Sequence, residues 1–310
     1  MKISHTFILR NAGPMLFIFC FYVLFFSPII FSDRLLAFGD GLTYYLPNFY
    51  SGILLWDPLI ASGFPAAADP QTMTWYPPAI VLANLTGSWN LFVMLAYMLA
   101  TYFMFSYVHY LTESLTGAIV AGFAFGLSGF MSAHMDHTSI IHSAVWLPLI
   151  LLAVEKIRRC GSVGWLVIGA IALCCCALAG HPQIFVYTAL LCCAYVFFTG
   201  FGTSTCMRQW KFFCAGGVML LLGFGLAALL FAPAMELGNL SLRQKLSFNE
   251  FNSYSLPADQ ILGLLFPYLF GGSSACPFWQ PYFGLWNHGE LTGYAGLTTS
   301  ILAAVGIVLS

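Results

Sequence analysis

Eight apolar stretches recur along the chain, each long enough or nearly so to cross the roughly 30 Å hydrocarbon core of a bilayer, which takes about 20 helical residues. They lie at Ala12–Phe31, Trp89–Leu111, Gly117–Ala133, Ile140–Val154, Val163–Ala179, Ile184–Thr199, Phe212–Leu237 and Tyr294–Ser310. Charge is scarce: 10 Lys+Arg and 11 Asp+Glu make up 7% of 310 residues, against about a quarter in an ordinary soluble domain. So few charges cannot cover a water-facing surface of this size, and a hydrophobic content of 60% excludes a disordered chain. A net charge of -1 with no basic stripe argues against a nucleic-acid binder. The pattern predicts an all-α polytopic membrane helix bundle of about eight spanning helices. It reads as a single transmembrane domain over 1–310 whose partner is the lipid bilayer.

The first span, 12–31, follows Lys2 and Arg10 and lacks a small-residue cleavage site, so it reads as a retained signal-anchor. A large outer loop over 32–88 then breaks the apolar pattern with Asp33, Arg34, Asp40, Asp57, Asp69 and many prolines and glycines. Within it Ala79–Leu85 is too short to span and predicts an interfacial or re-entrant helix. Six further spans occupy 89–237, and a second outer loop 238–293. The last run, 294–310, has no polar flank, which is the pattern of a chain cut short. Cys20, Cys174, Cys175, Cys176, Cys192, Cys193 and Cys214 fall inside apolar runs, where they act as small hydrophobes rather than zinc ligands.

Lys and Arg concentrate in cytoplasmic loops. With the N-terminus cytoplasmic and each run crossing once, Lys2, Arg10, Lys156, Arg158, Arg159, Arg208 and Lys211 fall inside. Only Arg34, Arg243 and Lys245 fall outside. Of the acids, Glu113 and Glu155 go inside and the rest collect at the outer face. This acidic asymmetry is not required by the positive-inside rule, so it calls for a local reason. The polar residues on that face come from four places: Asp40 and Asp69 in the first loop, His134, Asp136 and His137 after the third span, His181 and Gln183 after the fifth, and a last group in the second loop. The last comprises Arg243, Lys245, Glu250, Asp259, His288 and Glu290. Groups able to serve as base, cation or donor thus meet an apolar wall, as a substrate with a polar head and a lipid tail requires.

Asp40 stands between Gly39 and Gly41, which permit close backbone approach, and is followed by Tyr44, Tyr45 and Pro47. Trp56-Asp57-Pro58, Gly63-Phe64-Pro65, Ala68-Asp69-Pro70-Gln71 and Tyr76-Pro77 come next. They suit a sugar-stacking surface, or equally an interfacial aromatic belt with ordinary turns. This block, with Gly126-Leu127-Ser128-Gly129-Phe130 and His134 and then Gly180-His181-Pro182-Gln183, resembles the N-terminal part of the bacterial YfhO-type integral membrane family, of the GT-C class of glycosyltransferases. The resemblance implies sugar transfer from a polyprenyl-phosphate donor to a cell-envelope acceptor (glycopolymer, lipid or protein) on the outer face of the bacterial cytoplasmic membrane. It also implies that the acidic residue of the first outer loop, here Asp40, is the catalytic base.

Chemistry is compatible with that implication. An aspartate takes the acceptor proton, and phosphate leaves without a general acid but needs a partner for its charge. Arg243 and Lys245, the basic pair outside, are the candidates, or equally are surface charges at the headgroups. Tyr44, Tyr45, Asp69, Gln71, His134, His137, His181 and Gln183 are candidate substrate-binding residues. His134-Met135-Asp136-His137 also admits a metal reading, with Asp136 and His137 as ligands of a divalent cation, or a plain turn; no cofactor is implied with certainty. Two other functions remain open at this stage: a transporter or flippase of a lipid-linked envelope precursor, and a truncated inactive relative. Transporters place ionisable residues within spans, whereas here they crowd one face.

Overall fold

The computed structural model describes residues 5–202, 206–241, 247–253, 255–272, 280–285 and 287–309. The helices are α1 (His5–Phe25), α2 (Ser27–Ile30), α3 (Leu46–Ser51), α4 (Pro77–Leu85), α5 (Trp89–Thr112), α6 (Leu115–Gly126), α7 (Gly129–Ala133), α8 (Thr138–Ala144), α9 (Leu147–Cys160), α10 (Val163–Leu178), α11 (Pro182–Gly200), α12 (Cys206–Leu226), α13 (Ala228–Leu240), α14 (Phe248–Asn252), α15 (His288–Leu291) and α16 (Leu297–Leu309). Among the described residues there is no strand, only the isolated bridges Asp57–Phe64 and Gly272–Pro281. The chain is an all-α helical membrane bundle.

Among the described residues five stretches are long and apolar enough to span a bilayer: Trp89–Thr112, Leu115–Ala133, Thr138–Cys160, Pro182–Gly200 and Met207–Leu226. Val163–Leu178, Ala228–Leu240, Leu297–Leu309 and Gly13–Phe25 are shorter apolar helices. Several expected runs are broken where local chemistry demands it. Pro148, near the start of α9, has no N–H to continue the α8 ladder, so the two helices part at Val145 and Trp146. Ser128 caps Met131 N and separates α6 from α7. The run expected at Phe212–Leu237 is two helices, which part at Ala227. The short Ala79–Leu85 segment is a helix, as expected, with Pro77 and Pro78 in its first turn.

Thr138–Cys160 is the axis of the bundle, with 78% of its apolar window inside the protein against 22% for Leu115–Ala133 and for Met207–Leu226. It packs between α5 and α10. Side-chain hydrogen bonds tie the helices where hydrocarbon offers no alternative partner. Tyr22 and Thr101 join α1 to α5 at 2.6 Å. His142, fully buried, stacks on Phe92 at 4.0 Å and bonds its carbonyl at 3.1 Å. Large apolar side chains such as Val163, Phe198 and Leu221 are exposed on the periphery, a surface that is stable only against lipid.

The axial helix also separates the charges. Near its C-terminal end the buried Glu155 accepts from Arg158 at 2.7 Å, Arg159 at 3.1 Å and the Tyr195 hydroxyl at 2.9 Å. Arg208 of α12 donates to the Arg159 carbonyl at 3.1 Å, so these cations share one end of the bundle. The first loop and the turns at 134–137 and 180–181 lie at the other.

Glu155 is nearly inaccessible, while the Arg158 and Arg159 side chains are 24% and 42% exposed, so removing Glu155 leaves cations that water still reaches. Glu155→Ala removes the contacts of Arg158, Arg159 and Tyr195 together and is expected to destabilise the protein by roughly 1.5–3 kcal/mol. Arg158→Ala, which leaves Arg159 and Tyr195 on the carboxylate, should cost clearly less. Thermal unfolding of both variants in detergent measures the difference.

Candidate functional site

The site forms where the first loop folds onto the end of the axial helix. Gly39 has φ of +52°, and a Cβ built on it would lie 2.8 Å from Asp136 Oδ2. Only glycine adopts that conformation freely and admits so close a carboxylate. Asp40 follows and opens a wide π-helical turn over Gly41–Tyr45 that runs into α3. Asp136 precedes α8 in the same turn as His134 and His137.

These elements bring His137 between two carboxylates. Its Nε2 lies 3.1 Å from Asp40 Oδ2 and its Nδ1 3.2 Å from Asp136 Oδ1. A neutral imidazole donates from one nitrogen only, so the ring satisfies both sides when it carries both protons. Asp40 is the open member, its side chain 61% exposed against about a fifth for Asp136 and His137. A carboxylate held in place by a neighbouring ring and still reachable is positioned to accept a proton from a bound hydroxyl.

A cavity of about 840 Å³ adjoins this group. Asp136 and His137 line it from the turn, Phe38 from the first loop, and Tyr268, Tyr282 and Glu290 from the second. Gly129 N donates to the Tyr294 carbonyl at 2.7 Å, which anchors the second loop to α7. Tyr268 and Tyr282 pack around the His288 ring at 6.4 and 5.1 Å. The volume suits a ligand of sugar-phosphate size, and the wall offers aromatic faces beside polar atoms.

The other expected site residues divide. His134 is buried; its Nδ1 donates to the Phe130 carbonyl at 2.8 Å and its Nε2 lies 4.0 Å from Glu290. His181 is half-buried, and its Nδ1 has no hydrogen-bond partner among the described residues. Burial, reinforced by His134 and His137, lowers the His181 pKa to about 4. Tyr44 donates to Asp69 Oδ2 at 2.7 Å, and Asp69 Oδ1 accepts from Gln71 N at 3.0 Å. Burial first, then the Asp69 charge, raises the Tyr44 hydroxyl well above its ordinary range. Tyr45 meets Ser139 at 2.7 Å, and burial pushes its hydroxyl up to about 12. These three side chains knit the first loop to itself and to α8. The Gln71 side chain is exposed, and Gln183 donates to Tyr187 on its own helix rather than into the cluster. Arg243 and Lys245 lie outside the described residues.

The pair suggested for a divalent cation, Asp136 and His137, is engaged with itself and with Asp40. Among the described residues no group of three or more His, Cys, Asp or Glu gathers into a metal-holding set. Glu290, His288, Tyr268 and Tyr282 complete the cavity. The first two carry a polar signal in the sequence, but the tyrosines look like any interfacial aromatics until the loop is folded.

Gly180, with φ of +92°, sets His181 against the first loop: a Cβ there would collide with the Pro70 carbonyl. His181 therefore adds a pH dependence of known sign. Its folded pKa is below the ordinary histidine value, so its contribution to stability is complete above about pH 6.5. That contribution is lost as pH falls toward about 4. The melting temperature of the wild type should fall more steeply between pH 7 and 5 than that of His181→Asn.

Comparison of the chain with protein-family models, with curated proteins and with solved structures yields no match.

Proposed function

We propose that this chain is a membrane glycosyltransferase of the YfhO type, within the GT-C class. In this reading it passes a sugar from a polyprenyl-phosphate donor to a cell-envelope acceptor on the extracytoplasmic face of the bacterial cytoplasmic membrane, the N-terminus being cytoplasmic. The observation that carries the reading is the Asp136–His137–Asp40 bridge beside a cavity of about 840 Å³ at one end of an apolar bundle.

The acceptor hydroxyl loses its proton to Asp40 as its oxygen bonds to the anomeric carbon. The bond from that carbon to the phosphate oxygen breaks, its electron pair leaves with polyprenyl phosphate, and the configuration inverts. His137, held on its other side by Asp136, orients Asp40, and the bundle wall beside the cavity accommodates the polyprenyl chain. Glu236 stands exposed near the end of α13, and charges are few within the apolar spans. This distribution favours chemistry at a membrane surface over passage through it.

Asp40→Asn keeps the side-chain size and removes the base. It should lower transfer by roughly a hundredfold or more in an assay offering a panel of polyprenyl-phosphate sugars, with the melting temperature unchanged. Asp69→Asn should behave in the opposite way, lowering stability through the Tyr44 and Gln71 contacts while sparing turnover. Transfer retained in well-folded Asp40→Asn removes Asp40 from the mechanism.

A further inference from the structure

At the end of the bundle away from Asp40, α5, α9 and α10 enclose a second cavity of about 430 Å³. Its wall is graded. Along α5 it runs from Tyr102 to Glu113 just past the helix end, and on α9 from Leu149 to Lys156 and Arg159. At the helical rise these paths cover roughly 15 Å along the axis. One end of the cavity is therefore apolar and lies within the spans, while the other is charged and lies at the helix ends.

The charged end is built around one ring. Lys156 Nζ sits 3.7 Å from the Tyr110 ring centroid, and Arg159 Cζ sits 5.0 Å from the same centroid. Trp165 of α10 flanks Lys156 at 5.7 Å. Glu155 is shared between Arg158 and Arg159, so with Lys156 and Glu113 the group holds three cations against two carboxylates. In the wall between the two ends stands His109. Its ring is stacked on Phe105 at 5.5 Å, and its buried Nδ1 has no hydrogen-bond partner among the described residues. Cations clustered beside aromatic side chains at a helix end, above an apolar channel, match a phosphate group attached to a hydrocarbon chain.

We propose that this cavity binds the phosphate head of an anionic phospholipid from the leaflet opposite the Asp40 site. Lys156 and Arg159 face the phosphate, His109 meets a head or glycerol oxygen, and the upper acyl chain follows Leu149 and Tyr102. The site is separate from the proposed sugar-transfer centre and does not depend on it.

The test is thermal unfolding of the purified full chain in dodecyl maltoside, titrated with phosphatidylglycerol, phosphatidylcholine or inorganic phosphate. Phosphatidylglycerol is expected to raise the melting temperature saturably. Lys156→Gln should weaken its apparent affinity by roughly fivefold, the worth of one headgroup cation, and Lys156→Arg should restore it. Equal stabilisation by phosphatidylcholine, or unchanged affinity in Lys156→Gln, overturns the proposal. Saturation by inorganic phosphate, with no further gain from phosphatidylglycerol, assigns the cavity to a soluble phosphate and overturns the lipid. Should Lys156→Gln fail to fold, Ser106→Leu narrows the apolar path without altering charge. It is expected to weaken lipid binding; undiminished binding in that variant also overturns the proposal.

Discussion

Hydrocarbon offers no partner to a backbone N–H or C=O, nor to a charge. The protein is organised by that constraint. Helices satisfy their own backbones, and their few internal polar side chains pair across helices, as Tyr22 does with Thr101 and His142 with the Phe92 carbonyl. Ionisable groups are driven to the two ends. There they follow different rules: Glu155 gathers guanidiniums into a compact network at one end, while at the other carboxylates gather around a histidine.

The acidic end is held by close backbone approach as much as by charge. Gly39 lets the first loop rest on Asp136, and Gly180 lets the turn before α11 rest on Pro70. Tyr44, Tyr45 and Asp69 use their polar atoms to brace this packing. Their roles explain why a loop rich in proline, glycine and aromatics can be ordered beside a membrane: Tyr44, Tyr45 and Asp69 are spent internally, while Asp40 stays broadly open. A bracing shell around one exposed carboxylate is the arrangement a general base requires.

Much of this was legible in the sequence, and the remainder was hidden for definable reasons. Apolar runs announced the all-α bundle, because the spacing of charges along the chain is a direct consequence of burial in lipid. The meeting of Asp40 with the 134–137 turn followed from placing loops on one face. Helix breaks at Val145 and Ala227 were not foreseen; at Val145 hydropathy averages over the single proline, Pro148, that sets the break. Tyr44 and Asp69 read as ligand-binding residues by type, yet they bond each other across 25 positions, a pairing that only the fold creates. His109 and Lys156 looked unremarkable for the same reason: they share a cavity wall but come from different helices.

The central claim is that the first loop docks on the turn before α8, with Gly39 against Asp136. A Cβ at Gly39 would lie 3.6 Å from that of Asp136, within the range a disulfide bridges. The direct measurement is oxidative cross-linking of Gly39→Cys with Asp136→Cys in a background free of other cysteines, with a protease site inserted between Glu113 and Ser114. The two fragments should stay joined after cleavage and separate on reduction, and neither single variant should do so. Fragments that part without reductant in the oxidised double variant would contradict the assembly on which the candidate site rests.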